Sequence, residues 1–195
     1  MINKGKIMDE KSIKVAGFGG QGILLAGEVL ANALMLDGKN VTWYPSYGAE
    51  MRGGTVNCEI VTSDEEVSSV NMLESDFIIA LNQLSFDKFL PLIKKGGTMI
   101  ANSTFIENTE KKDERPDVKC FFAPISDMAN TLGSIKIANV IALGLFAKIS
   151  ELTSVDSLHK ALDVVLPEHR KNLLPLNLKA LEMGFNIKLE TAVCC

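Results

Sequence analysis

Apolar residues fall along this chain in two rhythms. Residues 12–16 and 76–81 are short apolar runs of strand length, and 55–62 alternates and is rich in β-branched side chains, as strands do. Residues 23–36 and 136–150 instead repeat apolar positions every three or four residues over the length of a helix. Gly38 closes the first helical run as a C-cap, and a second strand follows at 41–44. A strand, helix, strand unit is right-handed and parallel, so the first two strands end on one edge and residues 45–54 lie beside the turn after the first. Too few residues then remain for a helical crossover, which makes the strand at 55–62 antiparallel to the second.

The rest of the chain continues the alternation. An acidic surface connection, 63–75, leads to the buried strand 76–81, with Asn82 and Gln83 at its carboxyl end. Residues 83–95 read as a short helix, kinked at Pro91 and stopped by Gly96-Gly97, before a strand at 98–101. Residues 102–117, charged and interrupted by Pro116, fit a surface excursion or hairpin. A strand at 118–123 precedes helices at 125–132, 136–150, 154–166 and 168–185; Gly133 ends the first of these, Ser154 and Asp156 are cap candidates, and Pro175 predicts a kink in the last. The pattern specifies an α/β, three-layer Rossmann-like domain with a mixed, mostly parallel sheet and C-terminal helices. It forms a single domain over 12–185, with terminal tails at 1–11 and 186–195.

Composition narrows the possibilities. With 195 residues, 47% of them hydrophobic, the chain builds one substantial core and leaves no room for a second full domain. A net charge of -4, with basic residues clustered only in pairs, excludes a phosphate-tracking nucleic-acid surface. No run approaches the roughly 18 apolar residues of a membrane span, and residues 1–11 are too polar for a secretory signal, so a cytoplasmic protein without membrane contact is expected. The mean hydropathy of +0.17 is compatible with additional surface buried at an interface.

Candidate chemistry concentrates at two places. Gly17-Phe18-Gly19-Gly20-Gln21-Gly22 joins the first strand to the first helix with the spacing G-x-G-x-x-G. Glycines let the backbone turn tightly, and the free N–H groups and positive dipole end of the following helix make an anion site. A dinucleotide-binding loop would also need a carboxylate at the end of the second strand. There the sequence has Thr42-Trp43-Tyr44-Pro45-Ser46, and the first acidic residue is Glu50. The same glycines would equally serve close packing of the first helix on the sheet. The second place is the loop Tyr47-Gly48-Ala49-Glu50-Met51-Arg52-Gly53-Gly54. Arg52 suits bidentate contact with a carboxylate or phosphate, Glu50 accepts from a hydroxyl or amine, and Tyr47 offers a ring face and a hydroxyl. An ion pair or cap within the loop is the plainer alternative, outweighed by the position beside the glycine turn.

Other reactive residue types point away from catalysis. Cys58, Cys120, Cys194 and Cys195 have no C-x-x-C spacing, so the chain alone supplies neither an iron-sulfur cluster nor a zinc ribbon. Cys58 and Cys120 read as small buried hydrophobes in strands, and the terminal pair as thiols on a mobile tail. His159 and His169 lack a visible triad partner. Asn139, polar among apolar neighbours, is either a satisfied core group or a ligand contact.

Taken together, the two loops resemble those of the gamma subunit, or corresponding fused domain, of the 2-oxoacid:ferredoxin oxidoreductases. Residues 76–81, Gly96-Gly97 and Asn139-Val140-Ile141-Ala142-Leu143-Gly144 support the likeness, which spans residues 13–184. The resemblance implies a non-cofactor-bearing part of an enzyme that oxidatively decarboxylates a 2-oxoacid to acyl-coenzyme A and reduces ferredoxin. It implies thiamine diphosphate and magnesium on alpha and beta subunits, and iron-sulfur clusters on delta or beta chains. The loop from Tyr47 to Cys58 looks most like the 2-oxoglutarate and 2-oxoisovalerate types, whereas Tyr47 and Met51 depart from the indolepyruvate type. On this resemblance Gly17, Gly19, Gly20, Gln21, Gly22, Tyr47, Glu50, Arg52, Gly53, Gly54 and Asn139 are expected at the coenzyme A region or the subunit interface. A stand-alone Rossmann-like nucleotide-binding protein is the alternative.

Overall fold

The structure, a computed structural model, describes residues 10–46, 55–67, 73–188 and 193–194. Its strands are β1 (Lys11–Phe18), β2 (Asn40–Ser46), β3 (Thr55–Ser63), β4 (Ser75–Ala80), β5 (Ile93–Asn102), β6 (Lys119–Ala123) and the two-residue β7 (Val193–Cys194). They form one sheet in the order β2-β3-β1-β4-β5-β6-β7. β1, β4, β5 and β6 pair in parallel, while β3 lies antiparallel between β1 and β2, and β7 antiparallel to β6. β2 therefore shares the direction of β1, as the right-handed crossover through α1 (Ile23–Leu36) requires.

The alternation of side chains assigns the strands to two cores. Ile13, Val15, Cys58, Ile60, Ile79 and Ile100 pack with α1, α3 (Ile125–Thr131), α4 (Ala138–Ser150), α5 (Val155–Val165) and α6 (Leu174–Phe185). Their sequence neighbours Ala16, Ile78, Ala80, Met99 and Ala101 face the opposite way, onto α2 (Gln83–Phe89). A period of two puts successive residues on opposite faces, so a strand covered on both sides must be apolar throughout. The result is three layers: helices, sheet, and α2 beneath.

Helix packing depends on missing side chains at two crossings. A Cβ at Gly144 of α4 would lie 2.0 Å from the Leu181 carbonyl oxygen, and one at Gly184 of α6 would lie 2.0 Å from that of Ile141. The two helices thus meet backbone to backbone. α1 sits equally close to the sheet at Gly27, where a Cβ would fall 2.3 Å from Cys58 Sγ.

Several local expectations are corrected or narrowed. Gly96 and Gly97 do not stop a helix; α2 gives way to a 3-10 turn at Leu90–Leu92 and β5 begins at Ile93. The pairing with β4 shifts register between Ser75 and Phe77, and Gly96, at φ 79, takes up the irregularity. Pro175 does not kink a helix either, because it occupies the first turn of α6, where a missing N–H leaves no bond unmade. Of the two forms expected for 102–117, a surface excursion or a hairpin, the structure has the excursion, which holds a 3-10 turn at Glu110–Glu114. Arg115 ties it back, donating to the carbonyls of Leu90, Pro91 and Ile93 and to Asp117. At the C-terminus, Cys194 lies in β7, paired with Phe121, where a mobile tail was expected.

Candidate functional site at the carboxyl edge of the sheet

β1 leaves the sheet at Phe18 and the chain turns through Gly19 to Gly22 before α1 begins. Gly20 and Gly22 hold φ values of 94 and 71, which residues with a Cβ adopt at a cost. Among the described residues no side chain caps α1, and its first turn carries no acidic residue, which leaves its N–H groups and the positive end of the helix dipole available to an anion. Gly17 and Gly22 are glycines for want of space: a Cβ at Gly17 would lie 2.6 Å from Gln21 Oε1, and one at Gly22 would lie 2.5 Å from Asn139 Nδ2.

The turn stands where the sheet's connections diverge. From β1 the chain crosses to β2 on one side, and from β4 it crosses through α2 to β5 on the other. Such a switch point leaves a crevice outside the strand ends, the usual ligand position in open α/β sheets. Here it is a cavity of about 490 Å³ walled by Phe18, Leu84, Phe105 and Ile135, with Lys136 at its rim and Gly19 and Gly20 on one side. A second groove of about 370 Å³ runs along the other side of the turn, past Leu24, Leu25 and Val56. Phe18, Leu84, Phe105 and Ile135 are between 37% and 51% exposed, a cluster of apolar surface of the kind that marks an interface.

Six expected site residues come together here. Gly17, Gly19, Gly20, Gln21 and Gly22 form the turn, and Asn139, at the start of α4, donates from Nδ2 to the Gly22 carbonyl at 2.9 Å. Its buried Oδ1 has no partner among the described residues. Tyr47, Glu50, Arg52, Gly53 and Gly54 lie outside the described residues. The residues bounding their loop are placed on this edge, with Thr55 opposite Phe18 and Ser46 opposite Asn57.

Residues that sequence reasoning did not single out complete the site. Asn82, Asn102 and Ser126 are buried polar groups under the cavity, and Phe105, Ile135 and Lys136 form its far wall and rim. Asn82 and Asn102 each close an apolar strand run at its carboxyl end, and that position was the available signal.

The remaining candidates are accounted for structurally. Cys58 and Cys120 are fully buried on opposite faces of the sheet, so they cannot share a cluster, and burial pushes the Cys58 thiol up to about 12. Among the described residues no carboxylate, imidazole or thiol lines either cavity, and no group of three or more His, Cys, Asp or Glu could hold a metal ion. No helix of the described residues is long and apolar enough to cross a membrane. A wider depression of about 680 Å³, lined by Lys148, Glu151, Asp156 and Phe185, lies near the far end of α1, away from the switch point. Among the described residues the switch-point edge thus offers backbone N–H groups, the Lys136 cation and apolar walls.

The chain is thus an α/β domain that carries a glycine turn and an apolar-walled cavity at the switch point of its sheet. Residues 12–187 match the pyruvate ferredoxin/flavodoxin oxidoreductase family, and the chain belongs to it. Within that family it is a gamma-type subunit of a 2-oxoacid:ferredoxin oxidoreductase, which sets aside the stand-alone nucleotide-binding alternative. It is 33% identical over 191 residues, 97% of this chain and 100% of the relative, to the 2-oxoglutarate synthase subunit KorC of Methanocaldococcus jannaschii. It is 35% identical to the ketoisovalerate oxidoreductase subunit VorA of Methanothermobacter thermautotrophicus, covering 90% of this chain and 36% of that one. The keto/oxoacid ferredoxin oxidoreductase gamma subunit of Geobacter sulfurreducens superposes with a TM-score of 0.76 at 30% identity, covering 90% of this chain and 96% of that chain.

Proposed function

We propose that this chain is the gamma subunit of a coenzyme A-acylating enzyme that oxidises 2-oxoglutarate or a branched-chain 2-oxoacid, and that its glycine turn and Arg52 loop wall the active-site region at the subunit interface. The carrying observation is the uncapped start of α1 at the switch point, flanked on both sides by apolar grooves. Free N–H groups and Lys136 suit the phosphates of coenzyme A, and the apolar rim suits a partner chain. The KorC and VorA relatives support the two substrate classes, and a solved 2-oxoglutarate:ferredoxin oxidoreductase from Magnetococcus marinus, 26% identical with a TM-score of 0.79, has 2-oxoglutarate, coenzyme A and succinyl-coenzyme A bound; this chain covers 30% of that one.

In this reading alpha, beta and delta chains carry thiamine diphosphate, magnesium and iron-sulfur clusters and deliver electrons to ferredoxin in the cytoplasm. The gamma chain, a single domain over 12–185 whose C-terminal segment returns to the sheet at Val193–Cys194, contributes none of these groups and binds neither nucleic acid nor membrane. The test is to co-purify the tagged chain from its host and assay coenzyme A-dependent reduction of ferredoxin or viologen by several 2-oxoacids. Co-elution of partner chains with activity supports the reading, and a lone chain that binds NAD overturns it. Arg52→Ala is expected to lower activity or assembly with the subunit still folded; an intact, fully active complex removes Arg52 from the site.

A further inference from the structure

Resting on the reading of the glycine turn as a coenzyme A wall, we infer that Gln21 is a positioning residue: its amide, seated in the space left by Gly17, braces the turn against the end of β4. The parallel ladder between β1 and β4 ends at Ala16 and Ala80, with one further bond from Leu81 N–H to the Ala16 carbonyl. Because the chain leaves these two strands in opposite directions, no short covalent connection spans the gap above that point. Gln21 spans it. Its Oε1 accepts from Phe18 N–H at 2.6 Å, inside the turn, and from Asn82 Nδ2 at 3.2 Å, while its Nε2 donates to the Leu81 carbonyl at 3.4 Å.

The brace continues beyond β4. Asn102 Nδ2 donates to the same Leu81 carbonyl at 3.3 Å and to Ser126 Oγ at 2.8 Å, and Asn102 Oδ1 accepts from Ser126 N–H at 3.1 Å at the start of α3. Asn82 Oδ1 meanwhile caps α2 through Ser85 N–H. Asn82, Asn102 and Ser126 are almost completely buried, so these bonds are made out of competition with water. Both acceptor sites of its Oε1 and one Nε2 hydrogen are engaged within the protein, so Gln21 holds the shape of the turn.

Gly17 provides an independent handle. A methyl group there would collide with Gln21 Oε1 and Ile23 Cδ1, each at 2.6 Å and each the far end of a flexible side chain, so Gly17→Ala displaces the amide and leaves the fold able to adjust. In the complex assembled with its partner chains, Gln21→Ala should raise KM for coenzyme A roughly five- to tenfold, the scale of one hydrogen bond, with kcat changed less than about twofold. Gly17→Ala should do the same alone and add less than about twofold in the Gln21→Ala background. Hydrogen exchange of amides 18–22 in the assembled, ligand-free complex should quicken in all three variants.

Unchanged exchange at 18–22 in Gln21→Ala, or fully additive KM effects of the two substitutions, would overturn the brace. The wall reading is tested separately by coenzyme A protection of amides 19–22 in the parent complex. Protection with an unchanged KM in Gln21→Ala sinks the brace alone. No protection, with exchange quickened in the variants, sinks the coenzyme A assignment that the inference rests on.

Discussion

Asp37 shows how a single side chain joins distant parts of this fold. It follows α1, and its carboxylate accepts from Thr153 Oγ1 at 2.5 Å, Ser154 N–H at 3.2 Å and Ser157 Oγ at 2.5 Å, tying the end of α1 to the start of α5. Partial burial pulls its pKa upward, but these donors outweigh it and hold the carboxyl below the ordinary range. Asp76 behaves alike: burial raises it, and Lys94 together with Ser12 lowers it further. A carboxyl depressed in the folded state contributes stability that is complete above its unfolded value and lost as pH falls through its folded value. Thermal stability is thus expected to drop as pH falls below about 4, and Asp37→Asn should flatten that acid limb. An acid limb identical in the variant and the parent would show that Asp37 is not coupled to folding.

At the scale of elements, the α4–α6 crossing is the most sensitive contact. α4 is buried over most of its length, so its surroundings cannot give way when volume is added. Gly144→Ala is expected to cost about 1–3 kcal/mol or more, read as a lower midpoint in urea with an unchanged slope. A loss below about 0.5 kcal/mol would mean that the two helices slide apart at little cost. The same argument explains why the expected helix stop at Gly96-Gly97 failed. A glycine pair ends a helix or relieves a strand register with equal ease, and only the pairing with β4 distinguishes the two.

For the whole molecule, the exposed cluster of Phe18, Leu84, Phe105 and Ile135 belongs to the edge that also carries the glycine turn. A partner chain seated there would bury those side chains, and the isolated subunit bears the cost of keeping them wet. Ile135→Glu should therefore leave the isolated chain's melting temperature within a few degrees of the parent and reduce co-purification of the partner chains severalfold. Full assembly of this variant would move the interface to another face.

Much of this was legible in the linear sequence because the forces involved are local. The pattern of apolar positions placed β1, α1, β4 and α4 near their observed bounds, since burial acts on whichever face the backbone period presents, and the cap candidate Ser154 placed the start of α5. The glycine turn and the antiparallel return of β3 followed from sterics and chain length alone. Tertiary structure decided the rest. It set the place of β3 between β1 and β2, the bulge at Gly96, and the amide brace from Gln21 through Asn82 and Asn102 to Ser126. Partners 61 and 24 residues apart find one another only after the strands have paired, because a polar side chain carries no local sign of which distant donor will satisfy it.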